Sequence, residues 1–298
     1  MSPCDGVLDD ETVGAALVTC SAVGFGTLAV LGEYAFAAGL NVASVLALRF
    51  SIATALVWPL LLVARSRAGD LASLRLRGRT LAIAVLLGLV GYTGQSALFF
   101  LGLRYLTAGM TTIVLYTYPV FVLLLSATVL DESLTRRDLV ALPLALGGVL
   151  LVTGADPAGV DPTGVLIVLG SAVVYSLYIV VSRVALDATD GVVLSAYVMP
   201  AAALSFLALG GATGRLALPE SRLGWAAVLG IAVLATVLPV STFFLGLRRI
   251  GPSRTGIVST VEPAVAVALG ALLLDEPVTL ATLVGGVLVL AGVVLVQT

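Results

Sequence analysis

Few side chains in this sequence could do chemistry, and Glu262 is the sharpest of them. It sits in an apolar run that begins near Pro252. At 1.5 Å per residue it therefore lies about 15 Å deep, at the middle of a membrane-spanning helix. A carboxylate there is costly unless it is protonated, paired with a cation or open to water. Thr255, Ser259 and Glu262 follow an i, i+4, i+7 spacing and share one helical face. The Pro263 ring has no N–H for the Ser259 carbonyl, which leaves a local kink and a free acceptor beside the acid. Two readings follow: a site that binds a cation or carries a proton, or a structural Glu that hydrogen-bonds the broken backbone.

Other runs carry polar stripes. Ser171, Tyr175, Tyr178 and Ser182 step by 4, 3 and 4, and Gly88, Tyr92, Gln95 and Phe99 do likewise, with Gly91 and Ser96 beside them. Polar faces on apolar helices should point inward. Tyrosines there can stack on an apolar or cationic ligand while offering a hydroxyl. The alternative is interhelical hydrogen bonding, worth about 0.6 kcal/mol per contact. Arg49, another charge inside a run, could snorkel outward, pair with Glu33 or reach inward.

What is missing narrows the chemistry further. The sequence has no histidine, which removes HExxH metalloprotease and histidine-based triad chemistry. The two cysteines, Cys4 and Cys20, cannot hold zinc alone. Gly24-Phe25-Gly26 lies inside an apolar run and follows no strand, so it marks packing rather than a nucleotide site. No acidic cluster lies within a run. The sequence therefore points to no enzyme, no metal and no cofactor.

The elements that must position these residues are helices in a lipid bilayer. Of 298 residues, 60% are hydrophobic and 11% charged, and the mean hydropathy is +1.16. A soluble domain carries about 25% charged residues, so a soluble domain, a nucleic-acid binder and a disordered chain are excluded. Apolar runs fall near 13–35, 41–64, 80–103, 105–130, 138–154, 163–185, 192–213, 224–247, 252–274 and 279–297. Each approaches the ~20 residues that cross a bilayer, the fifth and the last being short. The stretch from Leu81 to Leu130 is far too long for one crossing and predicts a hairpin near Arg104-Tyr105.

Asp5, Asp9, Asp10 and Glu11 precede the first run with no basic residue, so it reads as a retained span and not a signal peptide. All 15 basic residues are arginine. With the N-terminus in the cytoplasm, eleven fall in cytoplasmic loops and three (Arg104, Arg215, Arg222) outside. The positive-inside rule then places both termini in the cytoplasm of an inner (plasma) membrane protein.

The sequence also repeats. FFLGLR occurs at 99–104 and at 243–248, an offset of 243 − 99 = 144. The same offset aligns Pro119 with Pro263 and Leu130-Asp131-Glu132 with Leu274-Asp275-Glu276, and about 24 of the 54 positions from 99 to 152 are identical. Thr111 and Tyr118 occupy the repeat positions of Thr255 and Glu262. Five spans per half is an odd number, so the second half enters the membrane upside down. The expected fold is all-α: a polytopic membrane protein of ten transmembrane helices in two inverted five-helix repeats, residues 13–154 and 163–297. Inverted repeats are the architecture of alternating access around a midplane site.

The FFLGLR turn, the doubled Pro-to-Asp-Glu pattern with a Thr soon after it, and the Arg49-Phe50 pair resemble the drug/metabolite transporter superfamily, EamA type. The resemblance implies ten helices and a central cavity lined mainly by spans 1, 3, 4, 6, 8 and 9. It also implies export of amino acids, amines, drugs or other metabolites, or exchange of nucleotide-sugars or sugar phosphates. On it, Arg49 reads as a structural anchor on a peripheral helix. Asp131-Glu132 and Asp275-Glu276 are expected to cap the helices that follow them, with gating as the alternative. Ala281 and Gly285 form a small-xxx-small step suited to tight packing or a homodimer seam.

The sequence thus predicts a secondary transporter of a small organic solute, with export implied by the resemblance alone, the lipid bilayer and the solute as partners and no nucleic acid. Its expected site is Glu262, Ser259, Tyr92, Gln95, Tyr175, Tyr178 and Tyr118. With one buried acid and no buried basic cluster, a neutral, zwitterionic or cationic ligand is favoured over a phosphate. The rival reading is a membrane scaffold or regulatory subunit that moves nothing.

Overall fold

The computed structural model describes residues 10–129, 136–154 and 161–297. Cys4, Asp5, Asp9 and the Asp131-Glu132 pair lie outside the described residues. Helix is the only regular structure among the described residues. Eight helices are long and apolar enough to cross a membrane: α1 (Asp10–Ala37), α2 (Val42–Arg67), α3 (Gly78–Gly102), α4 (Ala108–Leu125), α6 (Pro162–Leu186), α7 (Gly191–Ala212), α8 (Arg222–Gly251) and α9 (Arg254–Leu274). Two more, α5 (Arg136–Gly154) and α10 (Leu280–Gln297), hold shorter apolar stretches. These are the two runs that read as short in the sequence. The turn between Gly102 and Ala108 closes the expected hairpin.

The outer surface of the bundle is itself apolar. Leu60, Leu166, Leu204 and Leu272 are 62, 69, 63 and 77% exposed. Water would penalise such a surface and hydrocarbon would not. Inside, α2 packs on α7. The Phe50 and Phe206 rings stack at 5.9 Å, and Trp58 Nε1 donates to the Ala196 carbonyl at 2.9 Å. α5 packs on α10 through a close approach of backbones. A Cβ on Gly148 would meet the Gly285 carbonyl oxygen at 2.5 Å, and one on Gly285 would meet that of Gly148 at 2.6 Å. The small-residue step at Gly285 thus serves tight packing within the chain.

Several spans are broken at points related by the repeat. α3 contains a π-helical turn at Leu87–Tyr92 and α8 one at Val233–Val237. Such turns release carbonyls from the helical ladder. Here the Thr93 and Thr236 hydroxyls donate to the carbonyls of Gly88 and Ile231, both at 2.8 Å. α4 breaks at Tyr116-Thr117 just ahead of Pro119, and α9 breaks at Thr260 just ahead of Pro263. The link from α8 to α9 turns at Gly251, whose φ of 76° is open to glycine.

At the end of the bundle that carries Asp10, ion pairs tie the helices together. Arg249 pairs with Asp10 at 3.0 Å, Arg254 with Glu11, and Asp190 with both Arg65 and Arg248. Asp190 also caps α7 by accepting the Val193 N–H at 2.9 Å. Half-exposed pairs of this kind add little stability each.

The expectation for Glu276 needs correction. It does not cap α10, the helix that follows it. Its carboxylate reaches across the molecule to the N-terminus of α4, where it accepts the N–H groups of Ala108 at 2.6 Å and Gly109 at 3.1 Å. The start of α10 is served by Thr279 Oγ1, which accepts the Thr282 N–H at 3.1 Å. The redirection has a local cause. Asp275 adopts φ 54°, ending α9 in the left-handed region, and Glu276 then folds back so that its N–H donates to Gly270 O at 3.2 Å. A Cβ at Gly270 would overlap the Glu276 carboxylate.

Glu276→Ala should therefore lower the stability of the detergent-solubilised protein by about 1–2 kcal/mol, the sum of a lost cap and a lost charge–dipole contact. Gly270→Ala should act in the same direction, by displacing the carboxylate. A thermal-unfolding midpoint left unchanged by both would contradict this inter-helix cap.

Candidate functional site

A cavity of about 120 Å3 opens among α1, α2, α3, α4, α6, α8 and α9. Glu262 and Ser259 line it from α9, Tyr92 and Gln95 from α3, Tyr118 from α4 and Tyr175 from α6. Tyr178 is not among them. It lines an adjoining cavity of about 120 Å3 with Ser195, Met199 and Phe244. The two cavities share Phe25, Tyr92, Tyr175 and Phe243 as a common aromatic wall. Six of the seven residues expected from the sequence thus meet in one cavity, and the seventh meets two of them next door.

The tyrosines form a connected array. Tyr92 stacks on Tyr178 at 5.5 Å and Tyr178 on Tyr175 at 6.0 Å. Tyr175 meets Tyr118 edge-on at 4.8 Å, and Tyr118 meets Tyr116 at 5.8 Å. Faces and edges of these rings present the quadrupole that attracts cations and stacks on apolar groups.

Glu262 lies at the end of this array, half-buried. The Tyr116 hydroxyl oxygen is 2.9 Å from Glu262 Oε2 and 2.7 Å from the Ser259 carbonyl oxygen. That carbonyl is the acceptor left without a helical donor by Pro263, and the phenol is what satisfies it. A phenol has one proton. When it goes to Ser259, Glu262 joins the network only as the acid, donating its own proton to the phenol oxygen. When it goes to the carboxylate, the carbonyl loses its donor. The geometry therefore links the ionisation of Glu262 to the hydrogen bonding of the break in α9. The two readings of this acid, structural and functional, describe one arrangement.

The hydroxyls on the Glu262 face bond back into their own helix. Ser259 Oγ donates to the Thr255 carbonyl at 2.8 Å and Thr255 Oγ1 to that of Gly251 at 2.7 Å. Ser171 joins helices, donating to the Gln95 carbonyl at 2.8 Å. Ser96 donates to Gln95 Oε1 at 3.1 Å and so fixes that side chain at the cavity wall.

Arg49 departs from the sequence reading. It is 3% exposed and lines the Glu262 cavity, so it neither snorkels outward nor sits on the periphery. Its Nε donates to Thr236 Oγ1 at 2.9 Å, and its Cζ lies 4.9 Å from the centre of the Phe50 ring. Helical periodicity within α2 could not show this, because the packing of α2 on α7 decides which way the run faces. Tyr116 was missed for a related reason. Two residues before Tyr118, it would face the opposite way on a regular helix. The break at Tyr116-Thr117 turns both into the cavity. Phe243 did carry a signal, since it belongs to the repeated FFLGLR.

Tyr116→Phe should destabilise the protein by about 1–3 kcal/mol, because a buried carbonyl loses its phenol donor. Tyr118→Phe, whose hydroxyl has no hydrogen-bond partner among the described residues, should shift the thermal midpoint far less. Equal shifts in the two variants would contradict the assigned role of Tyr116.

Comparisons with known proteins bear on what this cavity serves. One solved crystal structure superposes with a TM-score of 0.68 at 20% identity, over 95% of this chain and 96% of its own, which speaks to the fold alone. The Bacillus subtilis (strain 168) protein named "Uncharacterized transporter YcbK" is 28% identical, covering 93% of this chain and 90% of its own length. The threonine/homoserine exporter RhtA of Escherichia coli K12 is 32% identical over 64% of this chain and 62% of its own. A probable terminal-alkyne amino-acid exporter of Streptantibioticus cattleyicolor is 29% identical over 77% of each. The model of the EamA-like transporter family matches twice, at residues 12–154 and 162–298. The chain belongs to the EamA-like transporter family, whose domain it carries in tandem, and is a multi-pass membrane protein rather than an enzyme.

Proposed function

We propose that the chain is a secondary transporter that exports a small organic solute, of the amino-acid, amine or drug-like class, across the cell's inner (plasma) membrane. The observation that carries this reading is the cavity itself. Residues of both halves converge there on Glu262, with Tyr92, Gln95 and Tyr118 from the first and Ser259 and Tyr175 from the second. An acid in the middle of a membrane bundle, beside room for a ligand, is a functional arrangement by default. In this reading the binding site is Glu262, Ser259, Tyr92, Gln95, Tyr175, Tyr178 and Tyr118. Glu262 serves as cation-binding carboxylate or proton carrier, and the tyrosines serve as stacking walls.

The mechanism proposed is alternating access between two inverted five-helix repeats, residues 13–154 and 163–297, which make ten spans with both termini cytoplasmic. The repeat-related breaks support it, since they put bendable points at matching places in α3 and α8 and in α4 and α9. The names of the E. coli and S. cattleyicolor relatives, a threonine/homoserine exporter and a probable terminal-alkyne amino-acid exporter, support the solute class.

Reconstitution into proteoliposomes tests the reading. Wild-type protein should move a solute from a metabolite panel at a rate that depends on pH, and Glu262→Gln should lose or strongly flatten that dependence while remaining folded. An unaltered pH profile in the variant removes Glu262 from the mechanism. A purified chain that passes nothing, and that no metabolite stabilises thermally, is a scaffold.

Orientation is tested separately, in a background with Cys4 and Cys20 replaced by Ser. A cysteine at position 70 should react from the cytoplasm and one at position 220 from outside. The reverse pattern overturns the topology.

A further inference from the structure

The Glu262 cavity also holds a guanidinium, that of Arg49, which has no acidic partner among the described residues. Among the described residues no carboxylate oxygen lies within 4 Å of the Arg49 guanidinium, and its two Nη nitrogens have no hydrogen-bond partner. Glu262 lines the same cavity and makes no ion pair with it. A buried, unpaired guanidinium is an expensive thing to retain in a membrane bundle.

The arginine is also held ready. Thr236 Oγ1 accepts from Nε and donates onward to the Ile231 carbonyl at 2.8 Å, so the π-helical turn of α8 fixes the near side of the guanidinium. Its Cζ also lies 4.9 Å from the centre of the Phe50 ring. What remains unsatisfied is the Nη pair, a fork whose geometry matches the two oxygens of a carboxylate.

We propose that Arg49 is the carboxylate receptor of this cavity, and that the solute is a zwitterion of the α-amino-acid type, its ammonium group toward Glu262 and its carboxylate toward Arg49. This rests on the carrier reading above and narrows it. A simple amine would leave Arg49 without an anion, and a simple carboxylate would leave the ionised form of Glu262 without a cation. A zwitterion satisfies both, and bridges two charges that the fold keeps apart. The cavity of about 120 Å3, roughly four water volumes at ~30 Å3 each, suits a small solute. The aromatic wall formed by Tyr92 and Tyr175 is left to contact the side chain.

The test uses purified full-length protein in proteoliposomes and three probes on one skeleton: L-threonine, 1-amino-2-propanol (which lacks the carboxylate) and 3-hydroxybutyrate (which lacks the ammonium group). A panel of other amino acids, each with its matching amine, is run in parallel. Wild-type protein should exchange one or more amino acids and exclude the matching amines and hydroxy acids. Arg49→Gln should raise KM for the amino acid at least tenfold, with Arg49→Lys between the two. Thermal stabilisation of the wild-type protein in detergent, by the amino acid and not by its amine, reads out the same preference even if the Gln variant fails to fold.

Amines carried as well as amino acids, or an amino-acid preference that survives in Arg49→Gln, overturns the receptor role and leaves the carrier reading standing. An arginine that only supports the turn in α8 would lower the thermal midpoint on substitution without changing that preference. Failure of every solute on the wider metabolite panel overturns the carrier reading as well.

Discussion

A hydrocarbon solvent takes no hydrogen bonds, so each backbone group that this bundle frees must find a partner inside the protein. Much of the structure follows from that constraint. The π-helical turns in α3 and α8 free carbonyls, and Thr93 and Thr236 supply hydroxyls to Gly88 and Ile231. Pro263 frees the Ser259 carbonyl, and Tyr116 supplies a phenol from α4. The N-terminus of α4 presents unpaired N–H groups, and Glu276 answers them from the far half of the chain. In each case the repair brings in a polar side chain.

Several of those repairs also build the cavity. Thr236 closes its own turn and holds Arg49; Tyr116 closes the break in α9 and holds Glu262. The broken helices and the charged groups are therefore one design. A straight, fully bonded bundle would have no need for these hydroxyls and no means of orienting the two charges.

The scaffold is repeated while the site is not. Glu262 has Tyr118 at its repeat position, so the acid is contributed by the second half alone. The buried arginine of the cavity comes from the first half. A duplicated frame thus carries an acid on one half and an arginine on the other, and the cavity acquires a polarity that its architecture lacks. Tyr118, in place of a second acid, extends the aromatic array to the edge of Glu262 instead of adding a repelling charge.

The local part of this protein was legible in its residues. Apolar run length marked the helices, including the two shorter ones, since the bilayer sets the number of residues a span needs. The excess length from Leu81 to Leu130 forced a turn, and proline chemistry marked the free carbonyl beside Glu262. Helical spacing put Thr255, Ser259 and Glu262 on one face and grouped the tyrosines of α6. All of these depend on neighbours within a turn or two, where periodicity is a sufficient guide.

Which way α2 faces depends instead on its contact with α7, so Arg49 looked peripheral and proved central. The inward turn of Tyr116 depends on a break whose geometry is settled by packing against α6 and α9. The destination of Glu276 lies 168 positions back along the chain, at Ala108. Sequence alone determined the helices and the faces they offer. Only the tertiary structure decided which faces meet, because a contact between distant segments reflects the packing of the whole bundle, which no local spacing encodes.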